Sequence, residues 1–237
     1  MTLGNSLRDD ILLTVRSRVP LKATLFIKAG PIRATFLALL VAGPLGCHST
    51  APGSGQSGQL PAATRPLATP GRVQLPLAAF QQTTDYTCGP ACLLTLMRYY
   101  GQNGDEMQIA KEAHCSKDTG TSPEQMAAWL KARNFKVTWG ENGSLDMLRA
   151  NLARGVPTLV EWIDWGGHWV IVVGYDTRNT PTLDDDMLIF ADPSDCTDGV
   201  VDGLTTFNAE RFDSMWFDAF LFGKPMHKIF ITAEPKK

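Results

Sequence analysis

Hydrophobic and polar positions change rhythm several times along this chain, and each change marks an element. Residues 34–45 (ATFLALLVAGPL) are almost wholly apolar, a run shorter than the ~20 residues that a membrane-spanning helix needs. The pattern then dissolves: residues 48–76 hold five prolines, clustered Gly, Ser and Ala, and no acid. Such a stretch cannot build a core and reads as a tether. Apolar rhythm returns near residue 73, where VQLPL suggests a short strand. Residues 88–100 (CGPACLLTLMRYY) are apolar on nearly every face, with Pro90 in the first turn and Gly101 as the stop. A helix of that kind is a buried central one.

Further helices follow. Asp105 opens one that runs to about residue 114. Ser122-Pro123-Glu124-Gln125 forms a capping box with proline at the first helical position, predicting a helix to about residue 133. Residues 135–139 read as a strand. Residues 144–154 place Leu145, Leu148 and Leu152 on one face of a helix that Gly155 closes. The second half turns to strands at residues 156–163, 168–175 and 187–191, with turn residues between them. Asn208 caps a short helix holding Phe212, Met215 and Trp216, and residues 228–232 form a closing strand. Helices first and antiparallel-looking strands afterwards predict an α+β domain, with a helical half and a sheet half meeting at a cleft.

Composition narrows the picture. The chain has 237 residues, 44% of them hydrophobic and 19% charged, which is enough for one substantial core. Its net charge of −2 argues against a nucleic-acid binder that works by displacing counterions. Five cysteines are too few for a disulfide scaffold at this length. The first 47 residues carry six basic side chains against Asp9 and Asp10. A basic stretch, a short apolar run and a small residue before a cut describe an export signal. The Gly46-Cys47 ending resembles a bacterial lipoprotein signal, which implies lipid on Cys47 and a membrane anchor. The expected organisation is therefore an export segment at 1–47, a tether at 48–72 and a folded domain at 73–237, exported and held at the cell envelope.

The chemistry gathers around Gln82-Thr-Thr-Asp-Tyr-Thr-Cys88-Gly89-Pro90. A cysteine that begins a helix sits where free N–H groups and the helix dipole favour the thiolate, the nucleophilic form. Gly89 is expected to leave room for a substrate beside the sulfur. Gln82 is near enough to turn back and share an oxyanion with the Cys88 N–H. A thiolate needs a base, and the chain has four histidines. His48 lies in the tether, His114 ends a surface helix and His227 flanks the last strand. His168, in Trp165-Gly-Gly-His-Trp-Val, opens an apolar strand where it can face a cleft. Asp192 closes the neighbouring strand and is a candidate to orient the imidazole. Asp176 is the rival, at the far end of the strand that His168 begins.

Taken together, Gln-x5-Cys-Gly-Pro-Ala, Gly-His-Trp-Val-Ile-Val-Val-Gly-Tyr-Asp and Phe-Ala-Asp-Pro resemble the bacteriocin-processing (double-glycine) cysteine peptidases. The likeness is to their stand-alone secreted relatives and covers about residues 73–232. It implies a papain-like fold, with a central N-terminal helix packed on an antiparallel sheet. It also implies a nucleophile at Cys88, a general base at His168, an orienter at Asp192 and an oxyanion donor at Gln82. The activity implied is hydrolysis of peptide bonds in a peptide or protein substrate, without metal or cofactor. Acyl transfer or transpeptidation on the same groups is one alternative, and a non-catalytic peptide-binding lipoprotein is another.

Other residues are read more plainly. Gly167, Trp165 and Trp169 flank His168 and are expected to line the substrate cleft. Cys92, one turn after Cys88, reads as core. Cys115 and Cys196, both near loops, are a candidate disulfide in an exported protein. The acids at 184–186 and 192–198 read as solvated turns, since they lack the glutamate and spacing of a calcium loop.

Overall fold

The computed structural model describes residues 67–196, 199–218 and 223–237. The chain begins there with a hairpin of two short strands, β1 (Leu67–Thr69) and β2 (Arg72–Gln74). The first of them lies inside the stretch assigned to the tether. Helix α1 (Cys88–Tyr99) follows, then α2 (Glu106–Glu112) and α3 (Pro123–Ala132). Next come β3 (Phe135–Gly140), α4 (Leu145–Ala153) and β4 (Thr158–Trp162). A 3-10 turn at Asp164–Gly166 leads to β5 (His168–Asp176) and β6 (Met187–Ala191). The chain closes with β7 (Leu204–Asn208), α5 (Ala209–Met215) and β8 (Phe230–Pro235). The fold is α+β, as the order of helices and strands predicts.

Local chemistry explains the helix starts. The side chains of Asp105, Ser144 and Asn208 each accept from a backbone N–H in the first turn of α2, α4 and α5. Ser122 and Gln125 form the reciprocal capping box of α3, with Pro123 at its first position. Thr87 caps α1 without a side-chain hydrogen bond. The backbone donors at that end stay available, and the nucleophile candidate sits there.

The strands form one antiparallel sheet with β5 at its hub. Val172 pairs with Thr158 of β4 on one side and with Phe190 of β6 on the other. Further along, Gly174 pairs with Gln74 of β2 on the β4 side. Outward from β4 lie β8 and then β3, and outward from β6 lies β7. The β7 strand was not anticipated, because Leu204–Asn208 (LTTFN) alternates weakly and only Thr205 is buried.

Helix α1 is buried from Gly89 to Met97 and again at Tyr99, as its apolar faces require. Thr95 is the polar exception and is fully used. Its hydroxyl donates to the Ala91 carbonyl at 2.8 Å and accepts from the Phe80 N–H at 2.9 Å. That second bond moors the segment before α1. The same segment is held from the other side by Ala79 N–H to Gly203 O (3.0 Å) and Gln82 N–H to Pro193 O (2.8 Å). Residues 79–82 are thus pinned between α1 and the loop after β6.

Candidate active site

Cys88 stands at the first position of α1 and His168 at the first position of β5. Asp192 follows the last residue of β6. Because β5 and β6 are antiparallel neighbours, with Ile171 opposite Ala191, the start of one strand lies beside the end of the other. That register brings His168 Nε2 to 2.8 Å from Asp192 Oδ1, with both side chains buried. Asp176, at the opposite end of β5, pairs with Arg72 instead. Strand direction therefore brings Asp192, and not Asp176, beside the imidazole.

Asp192 is itself fixed. Its Oδ1 also accepts from Ser194 N–H at 2.9 Å, and its carbonyl accepts from Gln81 Nε2 at 2.9 Å. Burial works against its charge, but the hydrogen bond and charge of His168 and the Ser194 N–H hold the carboxyl below its ordinary pKa. With Nε2 committed to Asp192, the Nδ1 edge of the ring is left for the sulfur. Burial disfavours the imidazolium, yet its bonds to Asp192 and Cys88 and their charges raise the His168 pKa to about 10. Burial likewise opposes a Cys88 thiolate. The hydrogen bond and charge of His168, with the backbone at Trp169 and Gly89, outweigh it and lower the thiol's pKa. The neighbouring thiols move the other way. Burial pushes Cys92 well up, and pushes Cys115 up as well.

Gln82 lies between Pro193 and the start of α1. Its Nε2 donates to Thr84 O at 2.7 Å, which leaves the amide's second N–H uncommitted, and its Oε1 is buried without a partner. The next residue, Thr83, gives its N–H and hydroxyl to the buried carboxylate of Glu106. The loop carrying Gln82 is therefore tied to α2 as well as to α1.

Four expectations need correction. The space beside Gly89 is occupied: a Cβ there would come within 3.1 Å of the Thr121 side chain, so the glycine admits Thr121 rather than a substrate. Trp169 does not line a cleft. It is 2% exposed, because the residue after His168 projects to the other face of β5, and its indole N–H donates to Thr121 O at 3.0 Å. Cys115 and Cys196 are free thiols, with Cys115 Sγ donating to Tyr86 O at 3.4 Å. Of the acids at 184–186, Asp186 is buried and accepts from the Tyr175 hydroxyl at 2.6 Å.

The remaining assignments are simpler. Cys92 is buried, as predicted, and its thiol donates to Trp169 O. Gly167 ends the 3-10 turn before β5, and Trp165 stands exposed at its middle. Cys47 lies outside the described residues. Among the described residues no group of three or more His, Cys, Asp or Glu is placed to hold a metal ion.

Glu161 was missed. It is 1% exposed, with Oε2 lacking any hydrogen-bond partner. Burial and the charges of Asp218 and Cys88 push its pKa to about 9, against a smaller pull from His168. The signal was in the sequence: one acid inside the apolar strand TLVEW.

The model of the family described as Peptidase_C39 like matches residues 74–218. No curated protein matches the chain. Among solved structures, the peptidase domain of Streptococcus ComA, a bi-functional ABC transporter of a quorum-sensing pathway, aligns with a TM-score of 0.50 at 20% identity. The alignment covers 68% of this chain and 99% of that domain. A double glycine motif protease from an AMS/PCAT transporter, solved with its leader peptide, aligns with a TM-score of 0.51 at 16% identity. It covers 73% of this chain and 99% of that one. A protein from Bacillus anthracis described as a C39-like peptidase gives a TM-score of 0.50 at 14% identity, over 70% of this chain and 98% of its own. At these identities the likeness is one of fold.

Proposed function

The chain belongs to the Peptidase_C39 like family, and from that membership and the groups gathered at the start of α1 we propose that it cleaves peptide bonds through a Cys88–His168–Asp192 triad. The observation that carries the reading is the His168 ring, held by Asp192 at 2.8 Å on one nitrogen and turned to the Cys88 thiol with the other. In the resting pair the proton of the thiol rests on the imidazole. The Cys88 thiolate attacks the carbonyl carbon of the scissile amide and forms a tetrahedral oxyanion. The Cys88 N–H, unused within the helix, and the free N–H of Gln82 are the donors for that oxygen. His168 then gives its proton to the departing amine, and an acyl-enzyme remains on sulfur. Water, deprotonated by His168, releases the acid and restores the pair. Asp192 keeps the ring in one orientation and stabilises its positive charge throughout.

The test is the pH dependence of Cys88 alkylation by iodoacetamide in the full chain. The expected result is rapid labelling at pH ~6 that His168→Ala abolishes, since an unpaired thiol titrates near ~8.5. Slow labelling with an ordinary thiol pKa in the folded protein contradicts the triad. Added amines that divert the acyl product would establish acyl transfer in place of hydrolysis. A substrate that is a peptide is supported by the relative of the same fold that was solved with a leader peptide.

We also propose that the protein is held at the cell envelope. A basic stretch, a short apolar run and Gly46-Cys47 support export and lipid on Cys47. Incorporation of an alkyne fatty acid that Cys47→Ser removes tests this. Labelling that persists in Cys47→Ser excludes that site.

A further inference from the structure

Trp165 is 65% exposed, an unusual position for the largest side chain. Its backbone is in the left-handed region, at φ 52 and ψ 24, which bulky residues rarely adopt. Such a conformation persists only where surrounding bonds impose it. Here Ile163 N–H is tied to Met215 O, Gly166 N–H to Ile163 O at 2.8 Å, and Gly167 N–H to Asp164 O at 3.0 Å. Gly166 continues the turn at φ +93, with open space where a side chain would stand. The turn therefore spends strain to hold an indole in solvent. That indole is not placed at random: its ring centroid is 5.5 Å from that of His168.

The direction of the reaction says which part of a substrate meets this ring. His168 protonates the departing amine, so the first residue of the leaving segment must reach His168. The Asp192 edge of the ring is closed and the Cys88 edge holds the acyl carbon. Trp165 is the surface left beside the amine. His168 carries positive charge at that moment, so a cationic side chain laid over the indole is repelled, whereas an apolar one covers water-exposed ring. Resting on the peptidase reading above, we propose that Trp165 is a specificity-determining residue for the position directly after the scissile bond, accepting an apolar or aromatic side chain there.

The experiment digests a proteome-derived peptide library with the full chain and with W165A and W165F, reading the new N-termini by mass spectrometry. Wild type is expected to enrich Phe, Tyr, Leu, Ile and Met after the cut. W165A should lose about tenfold of that preference over Gly and Ser, and W165F should keep most of it. Cys88 alkylation at pH ~6 should be equal in all three, which shows the triad intact. An unchanged profile in W165A, or enrichment of Lys and Arg in wild type, overturns this inference alone. No cleavage by wild type overturns both it and the peptidase reading.

Discussion

Glu161 stands directly across the β4–β5 ladder from Trp169, one residue from the Trp162–His168 pair. A carboxyl therefore shares the buried face of Trp169, next to the strand end that carries the imidazole. Burial there keeps it protonated at neutral pH, with a pKa near 9. The folded chain therefore favours the neutral acid over the carboxylate.

That relationship sets a pH dependence of stability. The unfolded chain releases the Glu161 proton near 4.5, while the folded chain holds it to about 9. Folded protein binds more protons over that window, so Glu161 costs stability as pH rises from about 4.5 to about 9. Glu161→Gln removes the cost. Urea unfolding should show little change at pH ~4.5 and a gain on the order of 5 kcal/mol at pH ~8. A variant whose stability difference is flat with pH contradicts a protonated Glu161.

Asp192→Ala should move the alkaline limit of the ion pair. His168 is raised to about 10 by its partners against the pull of burial, so the pair persists from the lowered Cys88 pKa up to about 10 and is lost above it. Without the carboxylate the limit should fall by about 1–3 pH units. Alkylation rates followed from pH 5 to 11 read this directly, and an unmoved alkaline limb would remove Asp192 from the triad. The stability that His168 gains from its partners is complete below about 6.5 and gone above about 10.

Trp169→Phe deletes the indole N–H and leaves Thr121 O without that donor. The expected cost is about 1–3 kcal/mol in urea unfolding. Because Thr121 packs against Gly89, the residue after Cys88, Cys88 alkylation at pH ~6 should slow as well. Loss of stability with an unchanged alkylation rate would separate Trp169 from the site.

Cys115 and Cys196 are free thiols. Reductant should therefore shift the thermal midpoint by less than about 1 °C, where a native disulfide typically contributes ~2–4 kcal/mol. A drop of several degrees on reduction would restore the disulfide.

The site was legible where chemistry is local and obscure where it depends on facing. Cys88 announced itself by its place before a helix, and the capping residues gave the helix starts to within a residue or so. His168 and Asp192 followed because strand ends carried them. Trp169 was misread, since adjacency to His168 in sequence means the opposite face in a strand. Glu161 shows in the sequence only as one acid in an apolar strand; its burial and the nearby charges of Asp218 and Cys88 appear only in the folded chain. Gly89 was assigned to a substrate because Thr121 is 32 residues away in sequence. β1 fell within a stretch whose prolines and glycines suggested tether, yet Gly71 supplies the turn, at φ +76, that lets Arg72–Gln74 return along β5.

The pinning of residues 79–82 has a consequence in time. Gln81 reaches Asp192 across 111 positions, and Ala79 reaches Gly203 across a longer span still. Contacts so distant in sequence form late, after the loops between them have closed. A ribosome that has delivered the chain only through β5 has already made the thiol and the imidazole, but neither the carboxylate nor the loop that Gln82 lies against. The topology therefore acts as a delay line: the thiol is synthesised before the carboxylate, and the proposed triad is complete only once β6 has been made.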